Sequence, residues 1–464
     1  MCLFFDRQPI SCSVQIFADI YLGFTSIDVL SCTCSTLQQV LVHHGLFPTA
    51  PSQPRMAVSV DLLSFYRALF ERSCDAINAL ASALKNHYSR RGYQMTDAQD
   101  PFRRGLGYAV QWYDILQVEV ERQVEMVVQQ HRDHIAKFQV SSRVPNSPSL
   151  TQCAPLLVQR CPACFAGILH GRSTDEGGDI HVAMDGNFHH RHRRAAGDCP
   201  NFYDPTYFLP KSFVDAIGHH IDTQHKRPVK SYVPLIPNEA VDQCENAYEA
   251  ADGKKQKAAM DSFDDTGIMA LICRHDIPLF FANIDSPGEQ QKYSVALLHH
   301  FFSFLPPEAT VVALYDIGCV LARTLSKYDI LPISITSRLR FATTAMHAYG
   351  HEWACQLVYN PRICVGLGLS DGEGTERLWS RLVRLIGVER TSSVSVAIAS
   401  EMRIDLGDWI KRRLRRGIKE QGSAAQDALD RCGVPIEELQ SEWLQQRHSQ
   451  LSIRAHRFYT ILMA

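Results

Sequence analysis

The sequence of 464 residues has no strong net charge and no long apolar run. A formal net charge of −2 argues against a uniformly basic nucleic-acid-binding protein, although the basic runs at 191–194 and 411–416 could contact phosphates. No stretch reaches the roughly 18 uninterrupted apolar residues of a membrane span. The N-terminus lacks a basic segment followed by an apolar core and a cleavage site. We therefore expect a soluble, intracellular protein without a membrane partner.

The sequence also lacks a regular cysteine framework. Its 15 cysteines are an odd number, scattered from Cys2 to Cys432. This pattern favours reduced thiols in an intracellular protein, some of them bound to zinc. Cys161 and Cys164 have the spacing of half a zinc knuckle, and they need further ligands from elsewhere in the chain.

A second candidate for zinc ligation is a series spaced by four residues. His347, His351 and Cys355 would lie on one face if they belonged to a single helix. Such a spacing also arises by chance in helices that bind no metal. We predict about one zinc per chain, held by residues of these two groups, with Cys273 as a further partner.

Hydrophobic periodicity indicates three regions after residue 55. Residues 56–150 have the three-and-four spacing of a helical domain, with two helices between Val58 and His87 and a long one from Tyr108 to Phe138. Residues 151–400 alternate strand-like and helical segments, and they contain a polar insertion at about 195–265. Residues 401–464 are predicted to be a helical C-terminal segment. The fold class expected from this order is α/β.

Two predicted strands each end on an aspartate. Apolar residues alternate with a period of two up to Asp185, and the continuous apolar run 311–315 ends at Asp316. An aspartate at a strand end is more often a turn or capping residue than a ligand. Two such aspartates followed by a suitable glutamate, however, favour a shared functional site over two unrelated turns.

That glutamate lies in the glycine-rich stretch 372–380, at the start of a predicted helix. Glu376 falls on the same side as Trp379, and Glu373 precedes it by three residues. Acidic residues in a first turn also complement the helix dipole, which is the competing explanation. Cleavage of a phosphodiester with two Mg²⁺ ions needs several converging carboxylates. The set Asp185, Asp316 and a glutamate therefore predicts a metal-dependent nuclease site.

Several short motifs together resemble the Kyakuja-Dileera-Zisupton (KDZ) transposases of eukaryotic DNA transposons. Each motif alone is weak, but the set is specific and runs from about residue 30 to 390. The motifs are Cys161–Cys164, Met184–Phe188, Gly267–Cys273 with His275, Gly288-Glu289 with Tyr293, Tyr315–Cys319, Met346–Ala348 with His351 and Cys355, and Gly372–Ser380.

The resemblance implies a ribonuclease H-like fold with a DDE-type catalytic site. Its catalytic, metal-binding positions fall on Asp185, Asp316 and a glutamate, for which the similarity of 375–380 to the hAT transposase signature favours Glu376 over Glu373. The implied cofactor is Mg²⁺ or Mn²⁺, and the implied partner is double-stranded DNA, both transposon ends and target. A nuclear location and a homo-oligomer are further expectations.

The N-terminal region carries a second part of the resemblance. Cys32-Thr33-Cys34, leading to Gly45–Pro48, looks like the end of the cysteine cluster domain associated with this family. Residues 1–55 are accordingly expected to be a remnant of that region, in a truncated copy. The alternative function is a catalytically inactive, domesticated protein that keeps the fold as a DNA-binding or zinc-organised scaffold.

Overall fold

The structure, a computed structural model, describes ten segments of the chain in two compact units, residues 1–147 and 148–464. The described segments are 10–19, 23–31, 35–73, 77–92, 101–141, 152–167, 169–197, 207–247, 262–386 and 406–452. Within them, none of the helices combines the length and the apolar character needed to cross a bilayer. Cys32 and Cys34 lie outside the described residues.

The first unit combines a four-stranded sheet with helices. Its strands are β1 (Ile10–Asp19), β2 (Gly23–Ser31), β3 (Leu46–Pro48) and β4 (Met56–Ser59), in the order β2-β1-β4-β3. Its helices are α1 (Leu37–His43), α2 (Val60–Ser73), α3 (Ile77–Arg90) and α4 (Pro101–Ser141). Helices α2 to α4 are the three that periodicity predicted. The sheet was not predicted.

The second unit is built on a mixed five-stranded sheet, which confirms the α/β expectation at that level. Its strands are β5 (Ile180–Asn187), β8 (Gly267–Cys273), β9 (Pro278–Ile284), β10 (Val311–Tyr315) and β11 (Leu339–Ala342). The order is β11-β10-β5-β8-β9, with β5, β8 and β9 antiparallel to one another in turn. Strands β10 and β11 continue the sheet in parallel with β5.

Helices and a short ribbon surround this sheet. The ribbon pairs β6 (His192–Arg193) with β7 (Phe263–Asp265), and most of the segment predicted to be an insertion lies between them in sequence. The helices are α5 (Pro155–Arg160), α6 (Pro162–Phe165), α7 (Lys211–His225), α8 (Asn238–Ala247), α9 (Gln291–Phe302), α10 (Gly318–Lys327), α11 (Ile333–Thr336), α12 (Trp353–Tyr359), α13 (Gly374–Leu382), α14 (Leu406–Leu414), α15 (Ser423–Cys432) and α16 (Ile436–Ser452).

Strand register brings the two predicted aspartates together. In the parallel pair of β5 and β10, Met184 is opposite Tyr315. Asp185 is the next residue of β5, and Asp316 directly follows the end of β10. Neighbouring strands lie about 4.8 Å apart, and in-register residues of parallel strands point to the same face. The aspartates are therefore side by side.

The two faces of the sheet are covered differently. Met184 belongs to the main apolar core, which α9 fills from one side. Asp185 alternates to the other face, opposite Ala270 of β8, where α13 packs against β5 and β8. A side chain on Gly374, the first residue of α13, would lie 2.5 Å from the Ile272 side chain. Glycine at this position lets the helix start directly on the strand.

Replacing Leu298 of α9 tests this core. Leu298 is fully buried, so Leu298→Ala removes packing without full collapse of the cavity and should lower the free energy of unfolding by about 2 to 5 kcal/mol. Ile333→Ala, at a side chain 80% exposed, is the control and should change it by less than about 0.5 kcal/mol. Chemical denaturation followed by tryptophan fluorescence measures both. Equal effects of the two changes would contradict this description of the core.

Candidate metal-dependent active site and two cysteine-histidine clusters

Asp185 is held by a hydrogen bond from the helix that covers its face of the sheet. Trp379 of α13 donates Nε1–H to Asp185 Oδ2 at 2.5 Å. Burial and then the charges of Glu289 and Asp316 raise the pKa of Asp185 well above its usual range, although the Trp379 bond opposes them. A bound cation would stabilise the charged form of this carboxylate, because it offsets the unfavourable effects of burial and of the neighbouring negative charges.

Asp316 is buried and contacts the segment that follows β11. Thr344 donates its hydroxyl to Asp316 Oδ1 at 2.5 Å, and His347 Nδ1 lies 3.1 Å from the same oxygen. The interaction with Asp316 raises the pKa of His347 to about 9, against the opposing effect of burial. His347 therefore contacts Asp316. It does not join His351 and Cys355, the other two residues of the series spaced by four.

The expectation that His347, His351 and Cys355 share one helix was wrong. His347 starts a single 3-10 turn that ends at Gly350, and His351 is extended, with ψ of 156°. Helix α12 begins only at Trp353 and carries Cys355. The extended backbone at His351 interrupts the helical spacing, so the sequence separation of four no longer places the three side chains on one face.

Both candidate glutamates lie near the aspartates. Glu376 is exposed, one helical turn before Trp379, and its charge contributes to the raised pKa of Asp185. Glu373 precedes the helix and accepts the backbone N–H of Met346 at 2.7 Å. Burial raises the pKa of Glu373, and the charge of Asp316 adds to this rise. Glu376 thus interacts with Asp185 and Glu373 with Asp316, so the choice of Glu376 stays a prediction.

Glu289 is an acidic residue of this region to which the sequence gave no role. It is buried and accepts a hydrogen bond from the Tyr315 hydroxyl at 2.7 Å. A side chain on Gly186 would come within 3.1 Å of the Glu289 carboxylate, so glycine there allows the two segments to approach. The Gly288-Glu289 motif is visible in the sequence. Its position beside Asp185, however, follows only from the fold.

A network of charges fixes helix α13 relative to the sheet. Arg377 donates to both carboxylate oxygens of Asp276, at 2.7 and 2.8 Å, and also contacts Asp371. Arg413 of α14 pairs with Asp371 at 3.0 Å, and Trp409 donates Nε1–H to Asp276. Bidentate arginine–carboxylate pairs restrain orientation as well as distance. The helix that carries Glu376 and Trp379 is therefore anchored at its side.

Cys161 and Cys164 find their missing partners after β8. The first cluster consists of Cys161, Cys164, Cys273 and His275, whose ligand atoms all lie within 4.8 Å of one another. His275 Nδ1 is 3.1 Å from Cys164 Sγ and 3.5 Å from Cys161 Sγ. Hydrogen bonds from Cys164 and Cys273 lower the pKa of Cys161, which favours a thiolate. This cluster could hold a metal such as zinc.

A second cluster forms from residues of four segments. It consists of Cys244, Cys319, His351 and Cys355, whose ligand atoms are likewise within 4.8 Å of one another. The structure therefore separates the predicted zinc ligands into two groups and adds Cys244, Cys319 and His275, which the sequence did not select. Cys244 lies in the insertion, where no spacing motif connects it with the others.

These features define a class: an α/β protein with neighbouring aspartates on a mixed sheet and two candidate metal clusters. Residues 179–398 match the family described as Kyakuja-Dileera-Zisupton transposase, KDZ. The match confirms the resemblance to KDZ transposases over these residues. Neither the curated proteins nor the solved structures gave a match.

The raised pKa of Asp185 predicts how stability depends on its charge. A folded-state pKa above the unfolded value makes the protonated form the stable one, and this contribution is lost as the pH rises toward the folded pKa. In buffer without divalent ions at pH 7, Asp185→Asn should therefore raise the melting temperature by a few degrees, on the order of 1 kcal/mol. The difference from the unchanged protein should shrink as the pH falls.

Asp179 is the matched control, because its carboxylate accepts backbone N–H bonds from Gly171, Arg172 and Thr310. Burial raises its pKa, but these bonds outweigh burial and lower it. Asp179→Asn should lower the free energy of unfolding by about 1 to 3 kcal/mol. Added Mg²⁺ should stabilise the unchanged protein more than Asp185→Asn. A loss of stability in Asp185→Asn equal to that in Asp179→Asn would contradict a repulsive acidic site.

Proposed function

We propose that the second unit is a DDE-type DNA transposase with a ribonuclease H-like core. The observation that carries the proposal is the position of Asp185 on β5 beside Asp316, which directly follows β10, with helix α13 packed over Asp185. The order of three antiparallel strands followed by two parallel strands also suits a ribonuclease H-like core. Membership of residues 179–398 in a transposase family gives the expected chemistry.

The residues suit a hard divalent cation. Carboxylate oxygens are the ligands that Mg²⁺ and Mn²⁺ prefer, and Asp185, Asp316 and Glu376 would hold the ions, with Glu373 as the alternative third ligand. Bound there, the ions would supply activation of a water or of a DNA 3′-hydroxyl for in-line attack on a phosphodiester. Two metals about 3.5 to 4 Å apart need several carboxylates, which this acidic region has.

The chain's own side chains would position those ligands. Trp379 fixes the orientation of the Asp185 carboxylate, and Thr344 and His347 fix that of Asp316. The Arg377–Asp276 pair fixes α13 and with it Glu376. Such restraints reduce the reorganisation needed when metal and substrate bind.

Double-stranded DNA, as transposon ends and target, is the partner that this chemistry requires. Exposed Arg193 and Arg194 follow the strand that carries Asp185 by only a few residues. Exposed Lys411 and Arg412 of α14 lie on the helix that anchors α13 through Arg413. Cationic side chains near a phosphodiester-cleaving site suit contacts with the DNA backbone. A homo-oligomer and a nuclear location remain part of this proposal.

The second candidate function is an inactive, zinc-organised scaffold that binds DNA. The observation in its favour is the pair of cysteine-histidine clusters, which could organise the fold whether or not the acidic residues bind metal. The two candidates share the fold and differ in whether a divalent cation at Asp185 and Asp316 supports cleavage.

A cleavage assay separates them. The substrate is plasmid DNA that carries the element's own terminal sequences, incubated with Mg²⁺ or Mn²⁺. Asp185→Asn, Asp316→Asn and Glu376→Gln should each reduce strand cleavage by at least about 10³-fold, because an amide keeps the shape but loses the charge that binds the metal. DNA binding, measured by gel shift, should be largely retained. The control variant Glu420→Gln, which changes an exposed glutamate of the helical turn 415–422, should cleave as well as the unchanged protein.

The same assay decides between the glutamates. Glu373→Gln should leave cleavage largely in place, since Glu373 would contribute mainly its bond to Met346 and a helix-dipole interaction of about 0.3 to 1 kcal/mol. Cleavage lost in Glu373→Gln and kept in Glu376→Gln would move the third ligand to Glu373. An unchanged protein that binds this DNA but cleaves it with neither metal would support the scaffold.

A further inference from the structure

We propose that the second cluster, formed by Cys244, Cys319, His351 and Cys355, is a structural zinc site that fastens the insertion to the segments around Asp316. This site is separate from the first cluster, so the chain binds two zinc ions at these clusters rather than the one that its sequence suggested.

The distances within the second cluster fit tetrahedral coordination. Cys244 Sγ and Cys355 Sγ are 3.5 Å apart, and Cys319 Sγ is 3.6 Å from His351 Nδ1. Zinc bonds of about 2.3 Å to sulfur and 2.0 to 2.1 Å to nitrogen make the edges of a tetrahedron roughly 3.5 to 3.8 Å long. A disulfide would bring two sulfurs to about 2.05 Å. The spacing is that of ligands around one ion.

Burial gives a second reason for a metal. Cys319 and Cys355 are fully buried, Cys244 is 7% exposed, and three thiols with an imidazole converge on one point. Zinc accepts three thiolates and one histidine as a closed structural set, which leaves no open position for substrate. The ion therefore has a structural role in this place, and its binding energy stabilises the fold.

The four ligands come from separate elements of the chain, whose apolar residues also pack together in the main core. Cys244 lies on α8 of the insertion, and Cys319 lies in the first turn of α10, three residues after Asp316. His351 lies four residues after His347, which contacts Asp316, and Cys355 is on α12.

Arg323 of α10 supports the same junction through ion pairs with Asp242 and Glu245 of α8. The zinc would thus fix both segments that contact or carry Asp316 and join them to the insertion.

Counting zinc in variants of the full chain tests this site. Protein purified under reducing conditions and analysed by inductively coupled plasma mass spectrometry should lose one zinc per chain in Cys244→Ser relative to the unchanged protein. Cys161→Ser should lose a different zinc, and the double variant should lose two. Cys153→Ser, at a buried cysteine outside both clusters, is the matched control and should keep the full amount.

A measurement on the unchanged protein covers the case in which Cys244→Ser does not fold. Each of the two clusters has three cysteines and one histidine. Zinc K-edge absorption, which averages over both sites, should therefore give three sulfur ligands and one nitrogen ligand per zinc. Zinc content equal to that of the unchanged protein in folded Cys244→Ser would overturn the proposal. A Cys244–Cys355 disulfide in the intact protein, detected by peptide mass mapping, would overturn it as well.

Discussion

Asp185 is buried beside Asp316, and this burial, together with the charges of Glu289 and Asp316, is the constraint on which the account of the second unit rests. Parallel pairing of β5 and β10 places the two residues side by side, and burial strengthens the interaction of their charges. Two carboxylates in this position oppose folding unless a proton or a cation compensates them. Proteins that keep such an arrangement usually do so for function, and this one lies within a transposase family region.

Holding the carboxylates against that repulsion requires restraints from several directions. Trp379 restrains Asp185 from α13, and Arg377 ties this helix to Asp276 beside the first cluster. Asp316 is restrained by Thr344 and by the turn into α10. The acidic residues, unfavourable by themselves, are thus held in place by hydrogen bonds and by the ion pair that anchors α13.

The sequence predicted the features that depend on residues close together in the chain. Strands β5 and β10 and helix α13 were predictable because alternation and three-and-four spacing are local signals, although β5 continues two residues beyond Asp185. The family motifs supplied the order of these elements.

What the sequence missed depends on tertiary contacts. Cys244 and Glu289 acquire their neighbours only when segments far apart in sequence fold together. The four-residue spacing of His347, His351 and Cys355 was misleading, since an extended residue at His351 sends His347 to Asp316. In the first unit, the alternation of Ile10, Cys12 and Val14 is a local signal for strand β1, which was not predicted.

The central claim is that Asp185 and Asp316 share a divalent cation, and anomalous X-ray scattering from crystals soaked in Mn²⁺ tests it most directly. The account predicts a manganese peak within bonding distance, about 2.2 Å, of an oxygen from each aspartate, with a glutamate of the 373–376 segment completing the site. Zinc-edge data from the same crystals would distinguish this peak from the cysteine-histidine clusters. An ordered structure at saturating Mn²⁺ with no peak between the two aspartates would contradict the account.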